Sequence, residues 1–137
     1  MSTAYYALFH KVLRAAADRF MGPNKEQSAG YRVLYRSFAH QHMHEVCQSL
    51  DVARLSDELR RQLGRPAVSS DMREFASAFA ALQEARHMAD YDPTVEFLTL
   101  DAASLVEGAD NAMAAFDRAD SDEKADILAL MMVKTQA

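Results

Sequence analysis

Two stretches of this chain bring together side chains able to hold a phosphate and move protons. The first is Arg86-His87-Met88-Ala89-Asp90-Tyr91-Asp92-Pro93. Arg86 continues the apolar register of Phe79 and Leu82, and a charged group at the edge of a buried stripe needs partners. Asp90, one helical turn on, and Asp92 supply carboxylates, while Tyr91 brings a hydroxyl to the same turn. A guanidinium held in this way still presents donors to a phosphate. The plainer reading makes Arg86 a support that closes the helix C-terminus through its dipole.

The second stretch carries Arg32, Arg36, His40, His42, His44 and Cys47. On a continuous helix Arg36 and His40 share a face, as do His40 and His44. Histidine works as acid or base near neutral pH, and arginine stabilises phosphoryl charge. Together they are the minimum set for metal-independent RNA cleavage, with the RNA's own 2′-hydroxyl as nucleophile. His42 continues the Phe38–Val46 stripe and is expected to pack inside with a hydrogen bond. A zinc site from His40, His44 and Cys47 is the weaker alternative. The stretch reads His-Gln-His-Met-His rather than His-Glu-x-x-His, and no fourth ligand is near. Cys47 is expected as a small buried thiol. His10, beside Phe9, stands where the first helix can face the same cleft. Ser69-Ser70 has no nucleophile elbow around it, and no glycine-rich phosphate loop occurs, so neither a metal nor a cofactor is expected.

Helices must position these groups. Tyr5, Leu8, Phe9, Val12, Leu13, Ala16 and Phe20 make an apolar stripe over 3–20, ended by Gly22-Pro23-Asn24. A second helix is predicted from Ser28 to Leu50, with Tyr31, Leu34, Tyr35, Phe38, His42, Val46 and Leu50 on one face. Ser56-Asp57-Glu58 opens a short third segment that Gly64-Arg65-Pro66 closes. Ser69 or Ser70 caps the next helix, whose core stripe is Met72, Phe75, Ala76, Phe79, Leu82 and Arg86. Asp92-Pro93 interrupts, because the residue before proline is pushed from helical geometry. Helix resumes between Leu98 and Asp101, with Leu105, Val106, Ala109, Met113 and Phe116 facing inward. Asp120-Ser121-Asp122-Glu123 reads as a capping box for a last helix through Ile127, Leu128, Met131 and Met132. Short connections make antiparallel neighbours, so the expectation is an all-α, up-and-down bundle of four to five main helices over residues 1–137. Tyr6, Leu100, Leu130 and Met132 fall off the main stripes, as a dimer interface or as scattered surface apolars.

Composition agrees. The 137 residues suit one domain, half of them are hydrophobic, and only 4 Gly and 3 Pro occur. A single cysteine excludes an intrachain disulfide and fits a reducing cytosol. No apolar run reaches the roughly 20 residues of a membrane span, and Met1–Tyr6 lacks a basic leader start, so a cytoplasmic location is expected. The net charge of −5 means that RNA binding needs a local basic patch.

Three blocks of the chain resemble the HEPN family. Ala4-Tyr5-Tyr6-Ala7-Leu8-Phe9-His10 is similar to the family's opening helix, commonly Ala-Tyr-Tyr-Ala-Met/Leu-Phe-His. Tyr35-Arg36-Ser37-Phe38-Ala39-His40 is similar to the Tyr-Arg-Ala-Leu-x-His stretch of one bacterial subgroup. The segment from Phe75 through Arg86 to Pro93 resembles that subgroup's Arg-x-x-Ala-Asp-Tyr-Asp-Pro signature. The resemblance spans most of residues 3–117. It implies a helical bundle, often a homodimer with a cleft on its two-fold axis, and a nucleotide- or RNA-related role in bacterial stress or defence systems such as toxin–antitoxin pairs. Some members work beside a nucleotidyltransferase partner.

Active HEPN ribonucleases carry Arg, four to six residues, then His at the position of Arg86. Here no His follows Arg86 at that distance, the segment reading Asp90-Tyr91-Asp92-Pro93 instead, and His87 points about 100° away around the helix. Arg36 and His42 have the spacing but lie on the earlier helix. Two functions follow. One is a nucleotide-, RNA- or partner-binding module without an intact nuclease motif. The other is a metal-independent ribonuclease in which Arg86 and Arg36 hold phosphate, His40 or His87 moves protons, and Asp90, Tyr91 and Asp92 orient Arg86.

Overall fold

The apolar stripes fold into helices throughout. A computed structural model describes residues 3–25, 27–91 and 99–133, with side chains described for 4–25, 27–86 and 104–133. In chain order the described helices are α1 (Thr3–Met21), α2 (Ala29–Arg36), α3 (His40–Leu50), α4 (Asp57–Leu63), α5 (Ser70–Tyr91), α6 (Thr99–Arg118) and α7 (Ser121–Met132). Among the described residues there is no strand, and no helix is long and apolar enough to cross a membrane.

Most helix ends carry the expected local chemistry. Gly22 and Gly64 take positive φ values of 89° and 69°, left-handed geometry that a side chain resists. Ser28, Ser56 and Asp120 accept hydrogen bonds from backbone N–H groups of the first turns of α2, α4 and α7. Ser69 does the same for α5 through the Met72 N–H. The predicted capping box at Asp120 is half formed. Asp120 caps, but Glu123 does not reach back, because its carboxylate is engaged by Ser69 and Arg65.

The largest departure is at the predicted helix over 28–50, which is two helices. Ser37 hydroxyl bonds to the Val33 and Leu34 carbonyls, at 3.2 and 2.7 Å, take up the end of α2. Ala39 is extended, with φ −116° and ψ 132°. This break removes the shared helix face on which Arg36 was paired with His40. It lets Tyr31, Leu34 and Phe38 cover the core while α3 starts in a new direction.

One cluster of buried side chains draws on every helix except α4. Tyr5, Leu8, Val12, Met43, Cys47, Leu50, Met72, Phe75, Phe79, Phe116, Ile127 and Met131 form its centre. Phe20 and Val106, both assigned inward from spacing, are 44% and 51% exposed, and Ala17 takes the inward place on α1. Tyr6, Leu130 and Met132 pack partly buried against the core, while Leu100 lies outside the described side chains. Side-chain pairings fix the directions. Arg118 at the end of α6 bonds Asp71 and Glu74 at the start of α5, so those helices are antiparallel. Arg73 bonds Asp51, while Gln83 reaches the His40 carbonyl, so α3 also runs against α5. This puts the start of α1, the start of α3 and the later half of α5 together at one end.

Candidate functional site

Tyr5, His40 and Arg86 meet at that end. The Tyr5 hydroxyl and His40 Nδ1 are 2.5 Å apart. The imidazole lies against Phe9, ring centres 4.2 Å apart and planes 22° from parallel. The Arg86 guanidinium sits over two tyrosine rings, 5.0 Å from the centre of Tyr6 and 5.6 Å from that of Tyr5. Such contacts are cation–π interactions, worth about 0.5–2 kcal/mol as desolvation increases. Gln83, on the helix of Arg86, donates from Nε2 to the His40 carbonyl at 2.7 Å. Among the described residues its buried Oε1 has no hydrogen-bond partner. Three helices are thus tied together through polar atoms, and a fully formed backbone alone would not hold the imidazole in this orientation.

The electrostatics follow from the packing. His40 titrates below the usual histidine value, first because burial disfavours the imidazolium, then because Arg86 and His10 repel it. Tyr5 is pushed well above the usual phenol range by burial, against which Arg86 pulls downward. At neutral pH the pair is therefore a neutral imidazole beside an un-ionised phenol. Where Tyr5 donates to Nδ1, the ring proton sits on Nε2, the remaining nitrogen. A guanidinium carries its N–H donors in its plane, at the edge from which oxyanions are recognised. A phosphate held at that edge would have an imidazole for its neighbour.

The other sequence-assigned residues divide. His10 is exposed, its ring 6.4 Å from both Tyr6 and Tyr35, so it does border the cluster. Arg36 is exposed on α2, and its Nε donates to the Arg32 carbonyl of the same helix. His44 turns away to Glu84, with Nε2 and Oε1 3.0 Å apart. His42 packs half-buried, as its place in the stripe predicts, with Nε2 2.8 Å from the Leu130 carbonyl. Cys47 is fully buried, and burial pushes its thiol far above the ordinary range. His40, His44 and Cys47 are thus held in different surroundings, at Tyr5, at Glu84 and in the buried core. Among the described residues no three His, Cys, Asp or Glu side chains gather to hold a metal ion. The side chains of His87, Asp90, Tyr91 and Asp92 lie outside the described residues.

Sequence reasoning missed the platform under Arg86. Tyr5 and Tyr6 were read as one core residue and one stray apolar residue. The signal was two adjacent phenols on a helix that elsewhere uses Phe9 and Phe20, since Phe would fill the same space without a hydroxyl to satisfy. Gln83, one turn before Arg86 on the same helix, was also passed over. No family model, curated protein or solved structure matches this chain.

Proposed function

We propose that this chain is a HEPN-like helical module that binds the phosphate of a nucleotide or RNA at the Tyr5–His40–Arg86 end of its bundle. The observation that carries the reading is Arg86 held over two tyrosine rings beside a neutral imidazole. A cation fixed on aromatic faces is pre-oriented, so less side-chain freedom is lost when an oxyanion arrives. Arg86 is the phosphate ligand, Tyr5 and Tyr6 fix its plane, and Tyr5 with Gln83 fixes His40. Asp90, Tyr91 and Asp92 remain the orienting residues that their spacing from Arg86 implies. A homodimer, a cytoplasmic location and a nucleotidyltransferase partner belong to the same reading.

His40 favours a second reading, cleavage. A neutral imidazole with a depressed pKa beside a phosphate-binding cation is the form in which a base accepts the 2′-hydroxyl proton. The test is a fluorescein-labelled single-stranded RNA with purified protein in excess chelator, followed by anisotropy and by gel. Binding without cleavage, lost in Arg86→Ala, supports the module. Cleavage lost in both Arg86→Ala and His40→Ala supports the ribonuclease. Binding and cleavage unchanged in both variants would remove this site.

A further inference from the structure

A ladder of rings runs from Arg86 across the surface to α2. Tyr6 lies beneath Arg86, His10 stacks beside Tyr6, Tyr35 beside His10, and Tyr31 beside Tyr35. The three ring pairs are 6.4, 6.4 and 5.2 Å apart between centres, with planes 28°, 26° and 24° from parallel. Tyr31 is buried and anchors the ladder, Tyr6 and Tyr35 are half-buried, and His10 is exposed. At its far end Tyr31, Arg32, Tyr35 and Arg36 line an open cleft of about 380 Å3. Arg32 and Arg36 are exposed there and form no ion pair among the described residues. Arg19, Arg60, Arg65, Arg73 and Arg118 are each paired with a carboxylate, while Arg54 and Arg61, also exposed and outside the described ion pairs, do not line this cleft. In a chain of net charge −5, this is a local positive face beside aromatic rings.

We infer that this face is a track for single-stranded RNA, continuing the phosphate site at Arg86 along His10 and Tyr35 to Arg32 and Arg36. The inference rests on the proposed function and adds its substrate class: an extended single strand rather than a lone nucleotide or a duplex. Ring faces and edges accept unpaired bases with little sequence preference, and arginines beside them follow the backbone phosphates. Duplex RNA keeps its bases stacked inside and offers nothing to Tyr35 or His10. The acidic remainder of the molecule confines the strand to this path.

Two probes separate this inference from the reading beneath it: adenosine 5′-monophosphate, and a labelled oligouridylate of about twelve nucleotides, within the usual site size of single-strand binders. The intact protein is expected to bind the oligomer at least about tenfold more tightly than the mononucleotide. In Arg32→Ser/Arg36→Ser the ratio of the two affinities falls about tenfold. The oligomer's log–log salt slope falls by about 1.4, or 0.7 for each lost phosphate contact. Tyr35→Ala also lowers the ratio, whereas Tyr35→Phe, which keeps the ring, restores it; circular dichroism melts verify that each variant is folded. Equal affinities for the two probes, or a ratio that the α2 variants do not change, would overturn the track and leave the Arg86 site standing. A duplex bound as tightly as the single strand would overturn it too. Wild-type protein that binds neither probe would overturn both readings, and α2 variants that change only the sedimentation coefficient would make this face a contact between copies.

Discussion

The two ends of α5 carry two polar centres of opposite character. Near its start, Glu123 is 1% exposed. It accepts from the Ser69 N–H at 2.8 Å, the Ser69 hydroxyl at 2.6 Å and Arg65 Nη1 at 3.0 Å. Asp126 takes a second Arg65 nitrogen at 3.3 Å. Sixteen residues along from Ser70, roughly 24 Å up the helix, Arg86 rests on tyrosine faces beside a half-buried, neutral His40. The Glu123 carboxylate has its lone pairs occupied by donors that arrive from the loop before α5, so it is a clasp. The other centre combines a cation on ring faces, a ring nitrogen and a buried Gln83 oxygen that has no partner among the described residues. A carboxylate met by donors on all sides fixes a fold, while a cation on ring faces beside a ring nitrogen is the proposed place for a ligand.

Substitutions at the two ends should separate stability from binding. The largest expected loss of stability is from Glu123→Ala, about 3 kcal/mol, because Ser69 and Arg65 lose their shared acceptor in the interior. Glu123→Gln keeps an acceptor and should cost about half as much; urea unfolding midpoints give both values. Arg86→Ala should cost about 1–2 kcal/mol through its cation–π contacts yet weaken nucleotide binding more than about tenfold. If Arg86→Ala unfolds the protein while Glu123→Ala spares it, the assignment of the two ends is reversed. Tyr5→Phe removes one hydrogen bond to His40 and should cost about 1 kcal/mol.

The pH response sharpens the contrast further. His40 has a folded pKa below its unfolded 6.5, so between the two values the unfolded chain binds more protons. Its contribution to stability is therefore complete above pH 6.5 and is lost as pH falls through the folded pKa. In an NMR titration the His40 midpoint should lie below 6.5. It should rise in Arg86→Ala and rise less in His10→Ala, yet stay depressed in both because burial is the largest cause. A His40 midpoint unmoved by Arg86→Ala would separate the two residues. Smallest of all, Gly64→Ala should cost about 1 kcal/mol through its left-handed φ, without effect on either centre.

Helical periodicity made most of the fold legible. The bounds of α4, with Ser56 and Gly64 at its ends, and the breaks at Gly22 and Asp120 follow from local chemistry that each residue carries with it. The break between α2 and α3 was not legible. Ser37 is compatible with a helix interior, and the seating of Phe38 in the core that decides against continuity depends on distant residues. Phe20 and Val106 show the limit of the stripe argument, since a helix end or edge leaves the core before its periodic pattern stops.

Of the site, Arg86 and His40 were visible by type and His10 by position, but their meeting was not. Arg86 and Tyr5 are 81 positions apart, and periodicity carries no information about which faces of distant helices touch. The Glu123 clasp was hidden for the same reason. Asp-Ser-Asp-Glu satisfies a local capping pattern, and its long-range use depends on where Ser69 arrives. Arginine over tyrosine leaves a weaker trace in a sequence than arginine four residues from aspartate, because cation–π geometry has no fixed spacing.

The central claim is that the Tyr5–His40–Arg86 end receives a phosphate-bearing ligand while the Glu123 end only holds the helices together. Titration of adenosine 5′-monophosphate into isotope-labelled protein, followed by two-dimensional amide and imidazole NMR spectra, tests it most directly. The account predicts shifts concentrated at Tyr6, His10, His40 and Arg86, with Ser69 and Glu123 unmoved. Shifts centred on Ser69 and Glu123, or none at millimolar nucleotide, would contradict it.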